Sequence, residues 1–85
     1  MRIQFHKRFI KQHKNLKKIW DKFDERFILF TKDPNHPLLN NHPLHGKYDN
    51  YRSINITGDI RAVYKEVNKD LVIFIALGTH SELYS

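Results

Sequence analysis

The sequence predicts an α+β fold: a short N-terminal strand, a helical hairpin, and an antiparallel sheet that carries the hairpin on one face. Three observations predict it. Residues 6–32 contain no Gly or Pro and repeat apolar side chains every three or four positions. Residues 33–50 hold all three prolines and four asparagines, a long irregular connection. From Tyr51 onward, three strand-like runs are separated by Thr57-Gly58-Asp59 and Asn68-Lys69-Asp70, each of which reads as a three-residue turn.

Each element has its own justification. Residues 1–5 alternate well enough for an opening strand. Leu16, Ile19, Trp20, Phe23, Phe27 and Phe30 form one helical stripe, continued backwards by Phe5, Phe9, Ile10 and His13. A single helix over this stretch would be about 37 Å long at 1.5 Å per residue. A compact chain of this length is only about 30 Å across. A break near Lys14-Asn15 is therefore expected, with Asn15 capping the second helix and the aromatics, Trp20 included, in the core.

The strands are expected at Tyr51–Ile56, Ile60–Val67 and Leu71–Leu77. The last is apolar throughout, as a strand covered on both sides should be. The turns imply a register: Ile54 faces Ala62, Asn55 faces Arg61, Tyr64 faces Phe74, Ala62 faces Ala76, Arg61 faces Leu77 and Val67 faces Leu71. Ile54, Ile56, Ile60, Ala62, Tyr64, Phe74 and Ala76 then share the face that receives the helices. Asn55 and Arg61 share the other, with His80 just past the end of the neighbouring strand.

Composition sets the limits. Eighty-five residues, 40% hydrophobic and 13% aromatic, suffice for one two-layer core and one domain over 1–85. The absence of cysteine excludes disulfide scaffolds, zinc-thiolate sites and thiol catalysis. No apolar run approaches the ~18 residues of a membrane span. Charges from Arg2 through Lys22 leave no signal-peptide core, so a cytoplasmic location with no membrane partner is expected. Residues 1–32 hold ten basic and three acidic side chains, a net +7, whereas residues 33–85 hold five and six, a net −1. So basic a segment suggests a polyanionic partner, most simply nucleic acid; the alternative is a solvated helix face.

Arg61 lies inside a strand, where a guanidinium can fork onto a phosphate or simply face water beside Asp59. His80 follows Gly78-Thr79 at a strand end, and imidazole is the side chain that trades protons at neutral pH. His36, His42 and His45 punctuate the Pro-rich loop. No helical His pair with a carboxylate accompanies them, so neither a metal site nor a cofactor is expected. Tyr84 can stack on a base or close the core. Histidines with an arginine suit one reaction well. RNA carries its own nucleophile, the 2′-hydroxyl, and cleavage needs a base, positive charge on the phosphate oxygens and an acid for the leaving 5′-oxygen.

Three segments carry a resemblance: Tyr51-Arg52-Ser53-Ile54-Asn55-Ile56, Gly58-Asp59-Ile60-Arg61-Ala62-Val63-Tyr64 and Gly78-Thr79-His80-Ser81-Glu82-Leu83-Tyr84. Together with His42-Pro43-Leu44 and Gly46, they resemble the RelE/ParE toxin superfamily, and within it the YafQ-like mRNA interferases of type II toxin–antitoxin systems. The resemblance implies a single RelE-like domain, with the hairpin packed on one face of a curved antiparallel sheet. It implies an endoribonuclease that cuts mRNA on the ribosome, uses no metal and is neutralised by a cognate antitoxin. Position by position, it makes His80 a proton donor or acceptor, His42 a second acid–base or phosphate-contacting histidine, Asp59 a catalytic-site acid and Arg61 the phosphate-binding arginine. Tyr84 would stack on or orient substrate. Asn55 stands where YafQ-like toxins carry a histidine, and an amide side chain cannot act as an acid or base at neutral pH. The basic helices, through Lys14, Lys17 and Lys18, would contact small-subunit ribosomal RNA or an acidic antitoxin segment. A ParE-like toxin acting on DNA gyrase and a plain basic RNA-binding module are the alternatives.

Overall fold

A computed structural model describes residues 1–84. The sheet contains five strands, β1 (Arg2–Phe5), β2 (His42–Pro43), β3 (Arg52–Asn55), β4 (Ile60–Asn68) and β5 (Leu71–Thr79), in the order β1-β5-β4-β3-β2. Strands β2 to β5 pair antiparallel, and β1 adds to the edge of β5 in parallel, Arg2 beside Leu71 and Phe5 beside Phe74. Helices α1 (Lys7–Lys14) and α2 (Trp20–Lys32) form the hairpin, and a short α3 (His80–Tyr84) closes the chain. The extents are 31 × 28 × 25 Å, too short for an unbroken helix across residues 6–32. No helix of the described residues is long and apolar enough to cross a membrane.

The hairpin breaks where expected, for a different local reason. Asn15 ends α1 as its C-cap, its N–H bonded to the carbonyls of Gln12 and His13. The second helix is entered through a tight helical turn at Lys17–Ile19 with no side-chain cap. Apolar contact therefore sets its start, with Leu16 and Ile19 packed against the core. Trp20 is not a core residue. It is 36% exposed, stacks on His13 at 5.3 Å and donates its indole N–H to the His13 carbonyl. Phe5 and Ile10, also expected on the apolar stripe, are likewise exposed.

Phe74 is the hub of the core. Its ring lies 5.2–6.0 Å from those of Phe5, Phe9, Phe27, Phe30 and Tyr64. On the other face of the sheet, Leu44, Tyr48, Val63, Ala76 and Leu83 form a second, smaller cluster under the Pro-rich loop and α3. The last strand is thus covered on both sides.

The β3–β4 register matches expectation, with Ile54 opposite Ala62 and Asn55 opposite Arg61. The β4–β5 ladder agrees only in its middle, where Tyr64 faces Phe74. Irregularities between Val63 and Tyr64 and between Glu66 and Asn68 shift the rest by one residue, as a bulge does. Asn68, not Val67, faces Leu71, so the β4–β5 turn is two residues, Lys69-Asp70. Ala62 faces Leu77 and Arg61 faces Gly78. In consequence Leu77 joins the helix-side core, while Ala76 belongs to the opposite cluster. The ladder also runs on to Ile60 opposite Thr79, which carries β5 to the threshold of His80.

Candidate active site

Four segments meet near the end of the sheet: β2 with the loop after it, β3, the start of β4, and α3 where β5 delivers it. They enclose a cleft of about 160 Å³ lined by His42, Leu44, Ser53, Arg61, His80 and Tyr84.

His42 is placed by β2, where it faces Ser53 across the ladder. The preceding Asn40 adopts a left-handed conformation (φ 45°), and its carbonyl lies 2.7 Å from His42 Nδ1. A carbonyl only accepts, so Nδ1 carries the proton and the neutral ring offers Nε2 as an acceptor. Leu44 and Tyr48, both buried, anchor the loop behind it, and the Leu44 N–H bonds to the Tyr51 carbonyl.

Arg61 is held from its own turn. Its Nη1 donates to the carbonyls of Thr57 at 3.0 Å and Gly58 at 2.9 Å. The Thr57 hydroxyl accepts from the N–H groups of Asp59 and Ile60, which fixes the turn. No other hydrogen bond of this guanidinium forms among the described residues, so the rest of its fork is available to a ligand.

His80 opens α3, which was not expected from the sequence. The helix is specified by a capping box, Thr79-His80-Ser81-Glu82, in which Thr79 N–H donates to Glu82 Oε1 at 2.8 Å and Glu82 N–H to Thr79 Oγ1 at 3.1 Å. This spacing was legible in the chain. Gly78 lies close against it: a Cβ there would stand 3.2 Å from Glu82 Oε1, so the carboxylate would have to give way by a few tenths of an ångström. Leu83 pins the helix into the second cluster. Tyr84, one turn on from His80, sets its ring 4.6 Å from the imidazole and edge-on to Tyr48. Burial pushes the Tyr84 phenol above its ordinary value, partly offset by the neighbouring Ser53 hydroxyl. Ser53 itself is a residue that the sequence reading missed. It is 1% exposed, and its hydroxyl completes no well-formed hydrogen bond. Ser53 lies two residues before Asn55 in β3 and so shares the strand face given to Asn55 and Arg61, which was the available signal.

The bonds from Thr79 hold the Glu82 carboxyl below its ordinary value. Its contribution to α3 is therefore complete above the usual carboxylate range and is lost as pH falls through the lowered value. Glu82→Ala is expected to fray α3, with Glu82→Gln, which can still close the box, near wild type. Amide exchange at residues 79–84 in the two variants checks this.

A search against protein families matches the whole chain, residues 1–85, to the family described as "Bacterial toxin of type II toxin-antitoxin system, YafQ". The chain belongs to this YafQ toxin family. Comparison with curated proteins returns no match. Among solved structures, YafQ from E. coli strain BL21(DE3) superposes with a TM-score of 0.84 at 25% identity, covering 99% of this chain and 98% of that one. A copper-bound mutant toxin from Helicobacter pylori gives 0.79 at 32% identity over 99% of both chains. The E. coli DinJ–YafQ toxin–antitoxin complex gives 0.82 at 26% identity, over 99% of this chain and 97% of that one. The α+β, RelE-like architecture expected from the sequence is thus that of solved YafQ toxins.

Within this family frame, the remaining residues singled out from the sequence lie outside the cleft. Asn55 stands opposite Arg61 in the ladder but lines an adjoining cleft with Lys22 and Arg26. Asp59 is exposed in the β3–β4 turn and lines neither cleft. Lys14, Lys17 and Lys18 are exposed around the hairpin bend, along a shallow groove with Asn15 and Leu16. Gln12 Oε1 accepts the Leu77 N–H at 2.8 Å, which ties the end of α1 to the same end of the sheet as the cleft. Among the described residues, no group of three or more His, Asp or Glu is placed to hold a metal ion.

Proposed function

We propose that this toxin is an endoribonuclease that cuts mRNA on the ribosome in the cytoplasm, and that a cognate antitoxin neutralises it. One observation carries the reading: two histidines and an arginine from separate segments share a single cleft. The E. coli relative's assembly with DinJ supports the antitoxin partner.

The chemistry follows from the groups. His42 Nε2 takes the proton from a ribose 2′-hydroxyl. The 2′-oxygen attacks the adjacent phosphorus, and the bond from phosphorus to the 5′-oxygen breaks. His80, protonated, gives its proton to that leaving oxygen. The products are a 2′,3′-cyclic phosphate and a 5′-hydroxyl. Arg61 faces the non-bridging oxygens as negative charge builds on them, and the Ser53 hydroxyl adds a neutral donor. The fixed Nδ1–H···O=C bond of His42 supports its assignment as the base. No step requires a metal. Tyr84 orients His80 and presents its remaining ring surface to a base. Asp59, which the resemblance makes a catalytic-site acid, is exposed next to Gly58 in the turn and takes no part in these steps; the lysines of the hairpin bend are read as flanking contacts to RNA.

Expression without an antitoxin tests this directly. Growth should stop, and mapped 5′ ends should appear within translated messages. DNA damage with intact mRNA would instead support a gyrase-directed toxin and overturn the ribonuclease reading.

A further inference from the structure

The cleft beside the candidate site holds an unanswered charge. Lys22 and Arg26 lie one turn apart on the same face of α2, and both line a cleft of about 240 Å³ with Leu38, Asn55, Thr57 and Gly58. Arg26 takes part in no ion pair among the described residues. Its Nη1 is buried with no hydrogen-bond partner, and so is Asn55 Oδ1. Lys22 pairs only with Glu25, at 3.6 Å on an exposed surface, an interaction that solvent makes weak. A half-buried guanidinium without a carboxylate is costly unless an anion meets it. An unpartnered amide oxygen, in the same space, calls for a donor.

We propose that this cleft is a second nucleotide subsite, in which Lys22 and Arg26 hold a backbone phosphate next to the one at Arg61 and Asn55 accepts from a base amine or ribose hydroxyl. The proposal rests on the ribonuclease reading above and extends it along the strand. Two facts favour nucleic acid over an acidic peptide side chain. A carboxylate offers acceptors only and would leave Asn55 Oδ1 unmet. The two clefts are also neighbours by construction. Asn55 and Arg61 are directly opposed in the ladder, and such pairs hold their Cβ atoms about 4.5–5.5 Å apart. Thr57 and Gly58 line the second cleft while their carbonyls grip the Arg61 guanidinium. One turn thus forms the wall between two cationic sites, as a polymer with repeating phosphates requires. The subsite also gives Asn55 a task that an amide can perform.

The test is fluorescence anisotropy of a short, labelled single-stranded 2′-deoxy oligonucleotide, which cannot be cut by 2′-hydroxyl attack, titrated with the full-length toxin over a range of salt. Arg26→Gln and Lys22→Gln are each expected to weaken binding about tenfold at low salt. Each should also flatten the plot of log affinity against log salt by about 0.7, one single-strand phosphate contact. Lys22 is on the rim, so its variant reads the site without disturbing the fold. Unchanged affinity and slope in both variants would overturn the proposal. So would a lowered melting temperature for Arg26→Gln with an unchanged slope, which would make Arg26 a packing residue. Loss of binding to a glutamate-rich peptide with intact oligonucleotide binding would assign the cleft to a protein partner and overturn it as well. Arg61→Gln, run in parallel, separates the two claims. If it alone flattens the slope, only the second subsite fails; if no variant does, the phosphate contact of Arg61 fails with it, and the mRNA-cleavage test above decides the ribonuclease reading separately.

Discussion

Replacing His80 with alanine is expected to lower mRNA cleavage by about 10²–10⁴-fold, the usual contribution of a positioned acid or base. The fold should survive the change, because His80 is exposed and α3 is held by the Thr79–Glu82 box and by Leu83 rather than by the imidazole. Loss of activity can therefore be read as loss of chemistry. A translation reaction programmed with one message, with toxin concentrations matched, gives the measurement. Cleavage within twofold of wild type would remove His80 from the reaction. Growth arrest should disappear in parallel with cleavage, since both are read as one event.

Arg61→Gln is expected to cost about 10²–10³-fold, the scale seen when a donor to a developing oxyanion is removed. The reason lies in the way the side chain is held. Bonds to the Thr57 and Gly58 carbonyls occupy Nη1 and fix the plane of the guanidinium before any substrate arrives. Charge on the phosphate oxygens is greater in the transition state than in the bound message, so the loss should fall mainly on kcat. Arg61→Lys keeps the charge but lacks the planar fork that holds two carbonyls on one side and a phosphate on the other, and should recover only part of the activity. An effect confined to KM, with kcat unchanged, would make Arg61 a simple binding residue.

The sequence carried much of this, and its failures have physical causes. The strands from Tyr51 onward were legible because turn residues and β-branched runs mark them locally. The hairpin break was legible from length, since a continuous helix would outrun the molecule. The cap was not, because Asn15 serves equally well at either end of a helix and tertiary packing of Leu16 and Ile19 decided the matter. Bulges were invisible, since Ile75 and Val67 look like ordinary strand residues. The slip they introduce set Ala76 on the wrong face in the sequence reading, but it moved Arg61 one position closer to His80, opposite Gly78 rather than Leu77. The approach of Arg61 and His80 to one sheet end was legible from the strand register, which also set Asn55 beside them; His42, Tyr84 and Asp59 entered through the family resemblance, and of these Asp59 lies outside the cleft. The separate cleft of Asn55, Lys22 and Arg26 was not legible. It depends on where α2 crosses the sheet end, which no local pattern encodes.

The nucleophile itself can be tested. A message bearing a single 2′-deoxy nucleotide on the 5′ side of a mapped cleavage position removes the one hydroxyl that the mechanism uses. Cleavage at that position should cease, while the all-ribose message is cut to a 2′,3′-cyclic phosphate and a 5′-hydroxyl. Continued cutting of the deoxy-substituted message at the same position would mean that water attacks instead, and the roles given to His42 and His80 would not stand.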